Sequence, residues 1–208
     1  MMHLPQNLID SYTEHKQEIQ KRLEDFANIP INQYFYELCY CLCTPQSKAR
    51  AAFQVQNKLM ELDFVNNDVD LESILSNPSH YIRFHNQKSE SLRKMKMKYS
   101  EIEKVLQSNL SPQEKRFWLN DNIRGIGLKE SAHFLRNIGY KNLAILDRHI
   151  LRNLILCDVI EKIPENFSSN KIYLAIEQKF LEFAEQISIP IDELDLLFWR
   201  DNTGEILK

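Results

Sequence analysis

A backbone can turn sharply only where its residues allow it, and this chain allows it in few places. Of 208 residues four are glycine, and three of these, Gly125, Gly127 and Gly139, fall within "RGIGLKESAHFLRNIG", residues 124 to 139. Proline is also sparse, at seven. Between these points apolar residues recur at helical spacing rather than in alternation. Strand signals are weak throughout. The chain reads as all-α.

A first amphipathic helix is expected from about Asn7 to Phe26, stopping near Pro30. The stretch "NQYFYELCYCLC" is apolar nearly all round, so it should be buried. Thr44 then reads as the cap of a third helix with Pro45 in its first turn. "DVDLESIL" is a short helix capped by Asp68 or Asp70. A basic helix follows from about Asn86 to Leu106. "SPQE", Ser111 to Glu114, is a capping box with proline at the first helical position. Later helices run to Cys157, from near Ser169, and through "IPIDELDLLFW".

The glycine segment constrains geometry most. The helix begun at Ser111 must end near Asp121. A new apolar period starts at Leu128 and continues through Ala132, Leu135 and Ile138, and Gly139 stands where a helix would stop. "NIRGIG" is then the turn between two helices. Its two glycines admit backbone conformations closed to other residues, and Ile126 between them can point inward as an anchor. Backbone N–H groups at Gly125, Gly127 and the helix start can approach a phosphate. A tight connection between two packed helices is the alternative.

Lys129 lies in the first turn of that second helix. The positive end of a helix disfavours an ammonium, and a nucleophilic lysine is activated by surroundings that favour the neutral amine. A lysine selected for stability would sit at the other end. Eighteen residues on, an apolar run leads into Asp147 of "AILDRHIL", which reads either as a plain helix cap or as a carboxylate held in a partly dry place.

Composition sets outer limits. With 43% hydrophobic residues the chain can build a core, and no run of about 18 apolar residues suggests a membrane span. The start "MMHLPQNLID" lacks the layout of a signal peptide, so a cytoplasmic protein is expected. Cys39, Cys41, Cys43 and Cys157 have neither zinc nor iron–sulfur spacing and read as reduced core thiols. The net charge of −3 argues mildly against nucleic-acid binding. Between Arg83 and Lys98, however, six cations face the single acid Glu90. That run is either a solvated face or a local phosphate-binding patch.

Taken together, the hairpin, Lys129 and Asp147 resemble the helix-hairpin-helix, glycine/proline-rich loop and aspartate superfamily of DNA glycosylases, in its lysine-bearing, bifunctional branch. "CTPQSKARA" is similar to an element at a helix start whose amide side chain enters the duplex; Gln46 holds that position. With no cysteine after Cys157, the four-cysteine cluster of endonuclease III-like enzymes is missing. "RFHNQK", "ILDRHIL" and the terminal "FWRDNTGEILK" resemble the short 8-oxoguanine DNA glycosylase/lyase class of archaea and some bacteria.

The resemblance implies two helical lobes. Residues 31–130 would form one, ending at the hairpin, and residues 1–30 with 131–208 the other, with the active site in the cleft between them. It implies Lys129 as nucleophile on the deoxyribose and Asp147 as base or electrostatic stabiliser. Gly125, Gly127, Arg124 and Lys88 would contact the DNA backbone. Lys208, Trp199, Phe84 and Gln46 would meet the flipped base or fill its gap. For the tail the alternative is a frayed end with Trp199 in the core; His133 and His149 stay undecided. The implied partner is double-stranded DNA containing 8-oxoguanine. No cofactor and no metal are called for, no membrane is involved, and a monomer is expected. Other oxidised bases, pyrimidines in particular, and a non-catalytic hairpin module are the alternative readings.

Overall fold

The computed structural model describes residues 2–165, 169–206 and 208. Among them it contains eleven α-helices, two short 3-10 turns and no strand. No helix among the described residues is long and apolar enough to cross a membrane. The chain separates into two compact units, Ile29–Phe134 and the combination of Met1–Asn28 with Leu135–Lys208.

The Ile29–Phe134 unit is built on helix α2, Tyr34–Cys43. Nine of its ten residues are buried, from Phe35 through Cys43, as its all-round apolar sequence requires. Helices α3 (Ala49–Glu61) and α5 (His85–Met97) pack on α2, and α4 (Leu71–Ser76) packs on α5. Asp70 caps α4 by accepting the Ser73 N–H. Helices α6 (Tyr99–Gln107) and α7 (Pro112–Asn122) lead to the glycine turn. The capping box at the start of α7 forms as expected: Ser111 accepts the Glu114 N–H, and the Glu114 carboxylate reaches back to the Ser111 N–H.

Two sequence expectations need correction here. The basic segment is not one helix. It breaks at Lys98 into α5 and α6, without glycine or proline, so that Leu92 and Met95 on one side and Ile102 and Leu106 on the other all reach the core. Nor does Thr44 cap α3. Its hydroxyl turns back to donate to the Cys41 carbonyl at the end of α2, and α3 begins only at Ala49. Residues 44–48 are a loop.

The other unit packs α1 (Gln6–Ala27) on α11 (Ile191–Thr203), with α9 (Arg148–Leu156) and α10 (Asn170–Gln186) also against α11. Phe180 and Phe198 stack at 5.9 Å in its core. Helix α8, Leu128–Asn137, ends at Gly139, whose φ of +91° lets Tyr140 N–H bond back to the Leu135 carbonyl. A Cβ at Gly139 would come within 2.8 Å of the Ala27 backbone. All four cysteines are buried free thiols, and burial pushes Cys43 and Cys157 up to about 12.

Candidate active site

In the turn between α7 and α8 Gly125 takes the left-handed backbone that the two glycines suggested, and Gly127 does not. Gly125 has a φ of +85°, and a Cβ there would meet Ser91 Oγ at 3.1 Å and Leu42 Cδ2 at 3.2 Å. Ile126 is buried and anchors the turn, its N–H bonded to the Ile123 carbonyl. Lys129 sits in the first turn of α8, with its side chain 29% exposed.

Glu130 is the residue that sequence reasoning overlooked. Its Oε1 lies 2.9 Å from Lys129 Nζ, and its Oε2 accepts the Gly127 N–H at 3.2 Å. The signal was present: an acid three residues after the helix cap commonly bonds the cap's own amide. The Gly127 N–H is therefore occupied, and a phosphate reaching it must first displace a carboxylate. Arg124 at the turn is exposed and paired with Glu90.

The basic run is largely neutralised within its own unit. Arg93 forks onto both oxygens of Glu72. Lys94 pairs with Glu90, Lys96 with the Asn67 carbonyl and Asp68, and Lys98 with the Asn122 carbonyl. Lys88 does not meet the expectation of a phosphate contact. It is buried, and its ammonium donates to the carbonyls of Cys43 and Pro45 and to Ser47 Oγ. Burial pushes it down to about 8.

Gln46 and Phe84 are both exposed, and both hold left-handed backbone, at φ +56° and +58°. Such conformations are rare outside glycine and mark positions held by their surroundings. The Arg83 guanidinium lies 5.6 Å from the centre of the Phe84 ring.

In the other unit, Asp147 caps α9. Its Oδ1 accepts the N–H groups of His149 at 2.7 Å and Ile150 at 2.9 Å. The run before it, Leu143 to Leu146, is buried. That run is fixed by α10. Tyr173 Oη accepts the Leu146 N–H and donates to the Ala144 carbonyl, and Glu177 accepts the Ala144 N–H. Asp147 is thus held from both sides. The His149 ring meets Trp199 edge-on at 5.3 Å, so Trp199 stands beside the Asp147 segment, half-buried rather than in the core. His133, by contrast, is buried against Tyr40.

Behind this cap lies a buried charge cluster. Asp195 has Arg136 Nη2 3.8 Å away, with Asp147 and Asp192 as further charged neighbours. Burial, aided by those two carboxylates and opposed by Arg136, pushes Asp195 up to about 7. Asp192 accepts the Asn142 N–H. At the end of the chain Lys208 is 8% exposed; Leu207 before it lies outside the described residues.

Residues 19–189 match the sequence model described as 8-oxoguanine DNA glycosylase. The chain is 41% identical to an 8-oxoguanine DNA glycosylase/AP lyase of Fusobacterium nucleatum, over 95% of this chain and 94% of that protein. It is 35% identical to the enzyme of that name from Methanocaldococcus jannaschii, over 94% of each. A crystal structure of the M. jannaschii glycosylase/lyase with a 15mer DNA containing 8-oxoguanine aligns at a TM-score of 0.85 and 33% identity, covering 97% of this chain and 99% of that one. The glycosylase from Thermotoga maritima aligns at 0.85 and 28%, covering 99% and 100%. A hairpin with a lysine in the turn behind it, a capped and braced aspartate, and these likenesses agree: the chain belongs to the 8-oxoguanine DNA glycosylase family.

Proposed function

We propose that this protein removes 8-oxoguanine from double-stranded DNA and cuts the strand at the resulting abasic site, with Lys129 as the nucleophile. The observation that carries the reading is Lys129 in the first turn of α8, directly behind the Gly125–Gly127 turn. A hairpin that only gripped phosphates would gain little from a cation at the positive end of a helix.

In the proposed sequence the damaged nucleotide leaves the stack. The neutral Lys129 amine forms a bond to the anomeric carbon as the glycosidic bond breaks, and the base departs with the electron pair. Asp147, as an anion, offsets the positive charge that develops on the sugar. Opening of the sugar ring gives a Schiff base, which acidifies the proton on the neighbouring sugar carbon. Loss of that proton expels the 3′ phosphate by β-elimination. Gln46 fills the gap in the duplex, and Trp199, Phe84 and Lys208 read the extruded base. Gly125, Gly127 and Arg124 hold the DNA backbone. The protein works as a monomer in the cytoplasm.

Borohydride reduction tests the central step. With duplex carrying 8-oxoguanine, the wild type is expected to give a covalent protein–DNA adduct, and Lys129→Ala none. An undiminished adduct in that variant removes Lys129 from the chemistry. Faster excision from a duplex carrying an oxidised pyrimidine would shift the substrate away from 8-oxoguanine.

A further inference from the structure

Lys88 sits in the first turn of α5, yet its side chain runs inward and the residue is only 8% exposed. Its Nζ donates to the Cys43 carbonyl at 2.8 Å, the Pro45 carbonyl at 2.6 Å and Ser47 Oγ at 3.1 Å. An ammonium has three protons to donate, and all three are matched. Burying a cation costs desolvation even with such partners, and without it the Cys43 and Pro45 carbonyls would lose this donor. The arrangement therefore points to what the ammonium holds.

It holds two loops. One is the 44–48 loop, with Gln46 at φ +56°. The other is the approach to α5, with Phe84 at φ +58°. The backbone N–H of Lys88 bonds to the Phe84 carbonyl at 3.0 Å. Ser47 Oγ, already bonded to the ammonium, also accepts the Arg83 N–H at 3.0 Å. One lysine and one serine thus join two strained, non-glycine positions that each present an exposed side chain.

We propose that Lys88 is a positioning residue: together with Ser47 it locks the Gln46 loop and the Phe84 loop into one rigid element, so that both side chains meet DNA already in place. This rests on the reading of Gln46 and Phe84 as DNA-contacting residues. Side chains fixed beforehand need no ordering when the duplex arrives, and a misplacement of about 1 Å at such a site can cost 10²-fold in rate.

Lys88→Met keeps the stem and removes the donors. Hydrogen exchange on the free protein reads the clamp itself. The Ser47 N–H, bonded to the Thr44 carbonyl, and the Arg83 N–H, bonded to Ser47 Oγ, are expected to exchange at least tenfold faster in the variant. Unchanged protection at both overturns the proposal. Single-turnover excision at saturating protein reads the consequence. Duplex 8-oxoguanine excision is expected to fall tenfold or more, with affinity for undamaged duplex and lyase action on single-stranded abasic DNA within twofold of wild type. Equal losses of affinity and rate would make Lys88 a backbone ligand and overturn the positioning role. If Lys88→Met does not fold, Ser47→Ala removes the shared acceptor alone, and a severalfold loss confined to duplex excision is expected. Gln46→Ala and Phe84→Ala separate the two readings. If both excise normally while Lys88→Met exchanges faster, the clamp stands and the DNA-contact reading falls.

Discussion

Glu130 joins Lys129 to the hairpin: one oxygen lies 2.9 Å from Lys129 Nζ and the other accepts the Gly127 N–H. On the proposed mechanism the amine must leave this carboxylate before it can attack. Glu130→Gln keeps an oxygen for the Gly127 amide and removes the charge. Borohydride trapping on pre-formed abasic DNA should then be as fast as wild type or faster. A folded Glu130→Gln that traps no adduct would place Glu130 in the chemistry. Glu130→Ala should lower stability by about 1 kcal/mol, as loss of a helix-start bond does, which calorimetry can read.

Asp147→Asn retains an oxygen for the His149 and Ile150 amides, so the cap of α9 should survive. The charge is lost. Excision of 8-oxoguanine should fall by about 10²–10³, the usual scale for removing one electrostatic contact to a transition state. If only the melting temperature changes, Asp147 is a cap and nothing more.

Asp195 gives stability a pH dependence. Burial keeps its proton on up to about 7 in the folded protein, whereas an unfolded aspartate releases it near about 4. In that window the folded state holds more protons than the unfolded one, so this group's contribution to stability falls as pH rises from about 4 to 7. Its full size is at most about 4 kcal/mol. Asp195→Asn removes the effect, so its stability relative to wild type should increase between pH 5 and pH 8 in urea titrations. A pH-independent difference would refute the assignment. Because the charge of Asp147 helps to push Asp195 up, Asp147→Asn should move the same transition to lower pH.

The proposed part of Lys208 in reading the base has its own test. 8-Oxoguanine carries an N7–H donor where guanine has an acceptor, so a fixed acceptor favours one and rejects the other. On the proposed function the buried Lys208 helps to set such an acceptor beside the base. Deleting Lys208 should erode discrimination between 8-oxoguanine and guanine far more than it erodes lyase action on abasic DNA. A truncated protein with an unchanged preference ratio would send the search to another acceptor.

Much of this was legible in the residues, and the failures have different causes. Ser111, Gly139 and Asp147 were readable because caps and stops act locally, through bonds spanning three or four residues. The break at Lys98 was not, because tertiary packing imposes it with no glycine or proline to announce it. Thr44 and Pro45 imitate a helix start, and only the bond from Thr44 back to Cys41 shows otherwise. Lys88 was misread because a lysine in a cationic run looks solvated; the oxygens that bury it lie about 40 residues away in sequence. Trp199 could not be placed before His149 was seen beside it.

The internal pairing of the basic run has a consequence for how the protein searches DNA. Binding to a duplex draws strength from the release of condensed counterions, with log affinity falling by roughly 0.9 per decade of salt for each phosphate neutralised. Arg93, Lys94 and Lys96 already face Glu72, Glu90 and Asp68. When such a cation turns to a phosphate, the carboxylate it abandons gathers an ion from solution, cancelling the one that DNA gives up. Affinity should therefore decline only gently with salt, and each visit to undamaged sequence should be brief, leaving long residence to the lesion.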